Sequence, residues 1–111
     1  MLRFRWNEWN TAHIEEHGVS RDEAEYVVKR ARDPFPQKRG DGKLLVWGQL
    51  PEGRYLQVIY ILDVVDEEDE LPSDVDLLDL LNNDPQIAYV IHARDLNDAE
   101  KRRFRQFRRG R

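Results

Sequence analysis

Apolar positions recur along this chain with two different periods, and the places where the period changes mark its elements. Trp6, Trp9, His13 and His17, with Ile14 at the edge, are spaced by three and four and form one stripe of an amphipathic helix, stopped by Gly18. On that reading both histidines help form the edge of the core. Ser20 and Glu23 make a capping box for a second helix, whose inward stripe is Ala24, Val27, Val28 and Ala31 and whose end is set by Asp33, Pro34 and Pro36. A turn at Gly40, Asp41 and Gly42 leads into a strand over Lys43–Gln49, and a second turn at Pro51, Glu52 and Gly53 leads into a long strand over residues 54–63. The short loop between them predicts antiparallel pairing.

Residues 87–93 are almost all apolar, with β-branched and aromatic members, which predicts a central strand covered on both faces. The run ends at His92 and Arg94, which a side-chain period of two places on the same side of the sheet. Asn97 and Glu100 then cap a final helix. Leu96, Ala99, Phe104 and Phe107 form its inward stripe, and Lys101, Arg102, Arg105, Arg108 and Arg109 lie opposite. Glu100 and Arg103 share the inward side, three apart, and are expected to pair.

Between the last two strands lies an excursion, at about 64–86, that is too long for a hairpin turn. Val75, Leu77, Leu78, Leu80 and Leu81 sit among aspartates there, after Pro72, and a short helix over residues 73–83 is predicted. The excursion reads as an insertion, a lid or a binding segment within a single domain, 1–111.

Charge sharpens this picture because its distribution is uneven. The formal total is −4, yet residues 63–84 hold ten Asp or Glu and no Lys or Arg, so the rest of the chain carries +6. Residues 99–111 alone hold seven Lys or Arg against Glu100. A polyanionic ligand is therefore compatible with the acidic total. Its opposite charge allows the acidic excursion to lie over the basic helix as a stand-in for phosphate, but a solvated loop whose leucines pack locally is the favoured expectation. The chain has no cysteine, which excludes disulfides and thiolate metal sites. No apolar run approaches the roughly 20 residues of a membrane helix, and the N-terminus lacks the apolar core of a signal peptide. A cytoplasmic protein is expected.

Three constellations carry candidate chemistry. His13, Ile14, Glu15, Glu16 and His17 match the H-x-x-E-H spelling of inverted zinc peptidases. Gly18 ends that helix at once and no third ligand is evident, so no metal and no other cofactor is expected. The basic face Lys101, Arg102, Arg105, Arg108 and Arg109 suits contact with successive phosphates of RNA, and equally a solvated face. His92 and Arg94, joined by Arg54 from the long strand, suit metal-free RNA cleavage. Histidine transfers protons near neutral pH, and two guanidinium forks clamp phosphate oxygens. A histidine and an arginine at a strand end also serve as hydrogen-bonded structural groups.

Phe4, Arg5, Trp6 and Asn7, then His17, Gly18, Val19 and Ser20 with Glu23 and Ala24, later Gly53, Arg54, Tyr55 and Leu56 with Val58 and Tyr60, and finally Ala93 and Arg94 with Glu100 follow one another in an order and spacing. That order resembles the BrnT-type toxins. The resemblance covers nearly the whole chain outside residues 64–86. It implies an α+β, RelE-like fold with two N-terminal helices, an antiparallel sheet of three to four strands and a C-terminal helix. It also implies an endoribonuclease toxin held inactive by a DNA-binding antitoxin protein. Residue by residue it gives catalytic roles to Arg54, Arg94 and Glu100, with His92, standing where the family has serine, as the proton-transfer candidate. Lys101 and Phe104 depart from the family's arginine and tyrosine. The competing expectation is a non-catalytic interaction module of the same fold. It would bind RNA, a partner protein or a second copy of itself, through the leucine-rich excursion or strand pairing, with Trp47 and Tyr60 in the interface.

Overall fold

The computed structural model describes residues 2–64 and 86–109, so the acidic excursion and the helix expected within it lie outside the described residues. The elements run β1 (Leu2–Arg5), α1 (Glu8–Glu15), α2 (Arg21–Lys29), β2 (Gln37–Lys38), β3 (Lys43–Gln49), β4 (Tyr55–Val64), β5 (Gln86–Asp95) and α3 (Asp98–Arg109). The fold class is α+β, with a five-stranded sheet in the order β1-β5-β4-β3-β2. β1 pairs parallel with β5, from Leu2 opposite Gln86 to Arg5 opposite Tyr89, and the other pairings are antiparallel. The sheet is therefore mixed, rather than the expected antiparallel sheet of three to four strands. β1 has only four residues and its partner lies more than eighty positions away, so no local periodicity announces it.

Helix α1 is shorter than the Trp6 to His17 stripe implies, because two asparagines start it. Asn7 accepts from the Asn10 backbone N–H at 3.0 Å, and Asn10 Oδ1 accepts from the Asn7 N–H at 2.8 Å, which closes a reciprocal capping box. Asn10 is fully buried and donates its Nδ2 to the Arg5 carbonyl, binding α1 to the end of β1. The inward side is thus Asn10, Thr11 and Ile14, while Trp9 is 60% exposed. The expected stripe is broken up: Trp6 packs on the core edge and His13 is half-buried, whereas Trp9 and His17 are exposed. Trp6 precedes the cap and donates its indole N–H to Glu25, and His17 follows in the turn.

The expected capping boxes at Ser20 with Glu23 and at Asn97 with Glu100 both form. α2 buries Ala24, Val27 and Val28, and it lies against β3 where Gly48 leaves room for Val27. β3 and β4 form the expected hairpin, from Lys43 opposite Ile61 to Gln49 opposite Tyr55. β4 meets β5 with a register shift: Ile59 faces His92 and Tyr60 faces Val90, so Ile91 has no residue opposite it. Along β5, Ala88, Val90 and Ala93 are fully buried whereas Ile87, Tyr89, Ile91, His92 and Arg94 are half-buried. One face is covered and the other only in part, where cover on both faces was expected.

The core joins Leu45, Val46, Leu56, Val58 and Val90 in the sheet to Ile14, Val19 and Val27 of the helical layer. Each such side chain contributes about 1.5–3 kcal/mol relative to exposure. Trp47, at 9% exposure, and Tyr60, at 4%, belong to this core. Trp47 packs with Phe35 and Phe107, and Phe104 meets Phe35 at 6.1 Å between centroids, which seats α3. Of the stripe expected for α3, Leu96 before it and Phe104 are buried and Phe107 is half-buried, while Ala99 is exposed.

A Cβ on Gly48 would stand 2.9 Å from Val27 Cγ1, and valine's χ1 is too stiff to yield freely. Gly48→Ala is expected to destabilise by about 1–3 kcal/mol. In a urea-denaturation cycle most of that penalty should vanish on a Val27→Ala background.

Candidate functional site

Three imidazoles converge beside the end of the sheet. His13 comes from the last turn of α1, His17 from the turn that follows, and His92 from β5 just past the register shift. Their ring centroids are 6.0 Å apart for His13 and His17, 5.7 Å for His13 and His92, and 5.1 Å for His17 and His92. One nitrogen from each lies within 4.8 Å of the others. Trp9 stacks on His13 at 5.4 Å with the planes 3° apart. His13 and His92 are half-buried and His17 is exposed.

The turn that carries His17 is closely specified. Its N–H and that of Val19 both reach the Ile14 carbonyl at 3.1 Å, and Gly18 takes φ +72°, a left-handed conformation that favours glycine. Arg54 fixes this turn from the sheet side. Its guanidinium donates to the carbonyls of Gly18 at 2.7 Å and His17 at 3.4 Å, and it forms ion pairs with Asp95 and Glu23. The hydrogen bond from Arg54 holds the Asp95 carboxyl below its ordinary range, against partial burial. Burial pushes the His92 imidazole below its usual pKa, and His17, His13 and Arg94 add to that in turn.

The remaining residues expected to be catalytic are drawn into a second network. Arg94 grips both Glu100 oxygens, at 2.7 and 2.8 Å, and also donates to the Asp95 carbonyl and to Gln57 Oε1 at 3.2 Å. Gln57, 4% exposed, accepts the Trp47 indole N–H through the same oxygen. Glu100 pairs with Arg94 and accepts from the Asn97 N–H, while Arg103 is exposed, so the expected pairing of Glu100 with Arg103 is replaced. Arg54 and Arg94 are therefore each engaged by carboxylate and carbonyl partners, and they meet at Asp95, Arg54 at its carboxylate and Arg94 at its carbonyl. Among the expected catalytic residues, His92 alone lies in the imidazole cluster.

The basic face of α3 is partly packed. Lys101 and Arg105 each lie 6.0 Å from the centre of Tyr55, and Arg108 lies over Phe104 and donates to Gln49. Arg102 is exposed, and the Arg109 side chain lies outside what is described. A cleft of about 590 Å³ opens between the end of α2, β3 and α3, bordered by Arg30, Arg32, Trp47, Phe107 and Arg108. The three histidines do not line it.

His13 and His17 stand out in the sequence by their spacing, but their third companion lies 75 positions further on. His92 attracts notice there only as the polar end of an apolar strand. No family model, no curated protein and no solved structure matches the chain. Among the described residues, no helix is long and apolar enough to cross a membrane.

The hydrogen bond from Arg94 lowers the Glu100 carboxyl to about 2, with burial opposing and the Asn97 N–H assisting. A carboxyl lowered on folding stabilises the protein fully above its unfolded pKa, near 4.5, and the contribution is lost as pH falls toward 2. Denaturant titrations should show Glu100→Gln losing on the order of 2 kcal/mol near neutrality, with a flatter pH dependence below about pH 4.5.

Proposed function

We propose that this chain is a toxin-like endoribonuclease of the RelE/BrnT kind, acting in the cytoplasm, cleaving RNA without metal and controlled by an antitoxin protein. The observation that carries this reading is the convergence of His13, His17 and His92, because phosphodiester cleavage through the 2′-hydroxyl needs two proton carriers within reach of one phosphate. One imidazole takes the 2′-OH proton as that oxygen attacks phosphorus. A second donates a proton to the departing 5′-oxygen, leaving a 2′,3′-cyclic phosphate. His92 is assigned one of these roles, and His13 or His17 the other. The ordered landmarks from Phe4 to Glu100, through their resemblance to the BrnT-type toxins, support the assignment of family and antitoxin partner.

Arg54, Arg94 and Glu100 become positioning residues in this scheme. Arg54 orders the turn that bears His17, and Arg94 with Glu100 fixes the end of β5 beyond His92. Lys101, Arg102, Arg105, Arg108 and Arg109 supply salt-sensitive affinity for the RNA backbone. The same internal pairing of both guanidiniums also favours a second reading, a non-catalytic module of this fold that binds RNA or a partner protein. It leaves neither arginine with an unoccupied fork for phosphate.

Incubating tag-free protein with total RNA in EDTA separates the two. The expected result is cleavage that His92→Ala lowers about 10²- to 10⁴-fold, the usual worth of a proton-transfer group, with an unchanged melting curve. RNA left intact by the folded wild-type protein would remove the enzyme reading and leave the module.

A further inference from the structure

We propose that His13, His17 and His92 form a binding site for one divalent ion of the zinc class. The donor set is three imidazoles, and the group contains neither thiolate nor carboxylate. Neutral nitrogen donors of this kind suit Zn²⁺, Co²⁺, Ni²⁺ or Cu²⁺, whereas Mg²⁺ and Ca²⁺ require oxygen ligands. Three protein ligands leave the fourth tetrahedral position open to water.

The geometry needs only a small closure. Metal–nitrogen bonds of about 2.0–2.1 Å at tetrahedral angles place the ligand nitrogens roughly 3.3 Å from one another, and here they lie within 4.8 Å. Small rotations about the χ angles of the three side chains are the movement this closure requires. Glu16 stays helical at φ −58° and ψ −28°, so His13 and His17 keep the four-residue spacing that stacks them on one side. The turn at Gly18, held by Arg54, then fixes both relative to β5. The Trp9 ring lies flat against His13 and restricts its rotation, as preorganisation of a ligand requires. His17 also stands at the C-terminal end of α1, where the partial negative charge of helix carbonyls favours a cation.

An ion on these nitrogens takes the lone pairs that proton transfer would use. Zinc would therefore inhibit RNA cleavage, a consequence that rests on the ribonuclease reading, whereas binding of the ion does not.

The test uses tag-free, full-length protein stripped with EDTA and dialysed, titrated with Zn²⁺ by calorimetry and with Co²⁺ by visible absorption. One ion per chain is expected, with the intense Co²⁺ bands of tetrahedral nitrogen ligation. Excess Mg²⁺ and Ca²⁺ should not displace it, which separates this site from carboxylates in residues 63–84. His92→Ala should weaken binding more than about tenfold, and so should His17→Gln, a change at an exposed position that leaves the fold intact. Absence of saturable binding would overturn the proposal, as would displacement by Mg²⁺ or unaltered affinity in either folded variant. Because no RNA is present, failure here leaves the ribonuclease reading standing, and inactivity toward RNA leaves the ion site standing.

Discussion

The arrangement of the two N-terminal helices against the sheet depends on one guanidinium. Arg54 sits where β4 begins, and its fork reaches the turn after α1, the first turn of α2 and the last residue of β5 together. Each of those places has a need of its own. The carbonyls of His17 and Gly18 require donors, and Glu23 and Asp95 require a counter-charge. A planar group with five N–H donors meets these needs together, which a lysine cannot do. Because Arg54 is partly exposed, the Coulombic attraction is screened and the geometric constraint is its larger contribution. That constraint places His17 within reach of His92.

A second arginine does the same work for α3. Arg94 joins the N-terminal turn of that helix to Gln57, whose amide oxygen also accepts from the buried Trp47. The aromatic packing of Trp47 and Phe35 with Phe104 and Phe107 seats the helix on the sheet. Glu100 fixes the start of the helix, since it caps the helix and receives the fork at once. Polar groups in the core margin carry a desolvation cost and return specificity of orientation, because each has one geometry that satisfies it.

How far the sequence reveals this structure depends on the range of each signal. The capping boxes at Ser20 and Asn97, the hairpin between Lys43 and Tyr55 and the central strand are local, and their periodicity and turn residues announce them. The start of α1 is also local, yet two asparagines outweigh the aromatic stripe that crosses them, and the inward face turns to Asn10 and Ile14. β1 and the parallel pairing are not legible, because four residues of alternating character acquire meaning only beside β5. For the site, the H-x-x-E-H spacing exposes two members of the cluster and the strand end exposes the third. Nothing in one dimension joins them. The register shift at Ile91 and the fork of Arg54 are tertiary facts, and so are the carboxylate and carbonyl partners that occupy the two arginines.

Stability alone does not account for three clustered imidazoles. Half-buried or exposed, they add little apolar burial, and Leu or Ala would serve the packing at least as well. His13 lies on a helix whose inward side is filled by Asn10, Thr11 and Ile14, and His17 lies exposed in the turn after it, so neither is a principal packing residue. Their closeness is an electrostatic liability whenever more than one is charged, and it works against protonation of His92. Trp9, 60% exposed and stacked flat on His13, is a similar departure, since a large indole in water contributes little to the core. Residues that weaken a fold locally while converging in geometry are the usual mark of a site shaped by what it binds or transfers. Here they converge around one point that an ion or a proton in transit can occupy.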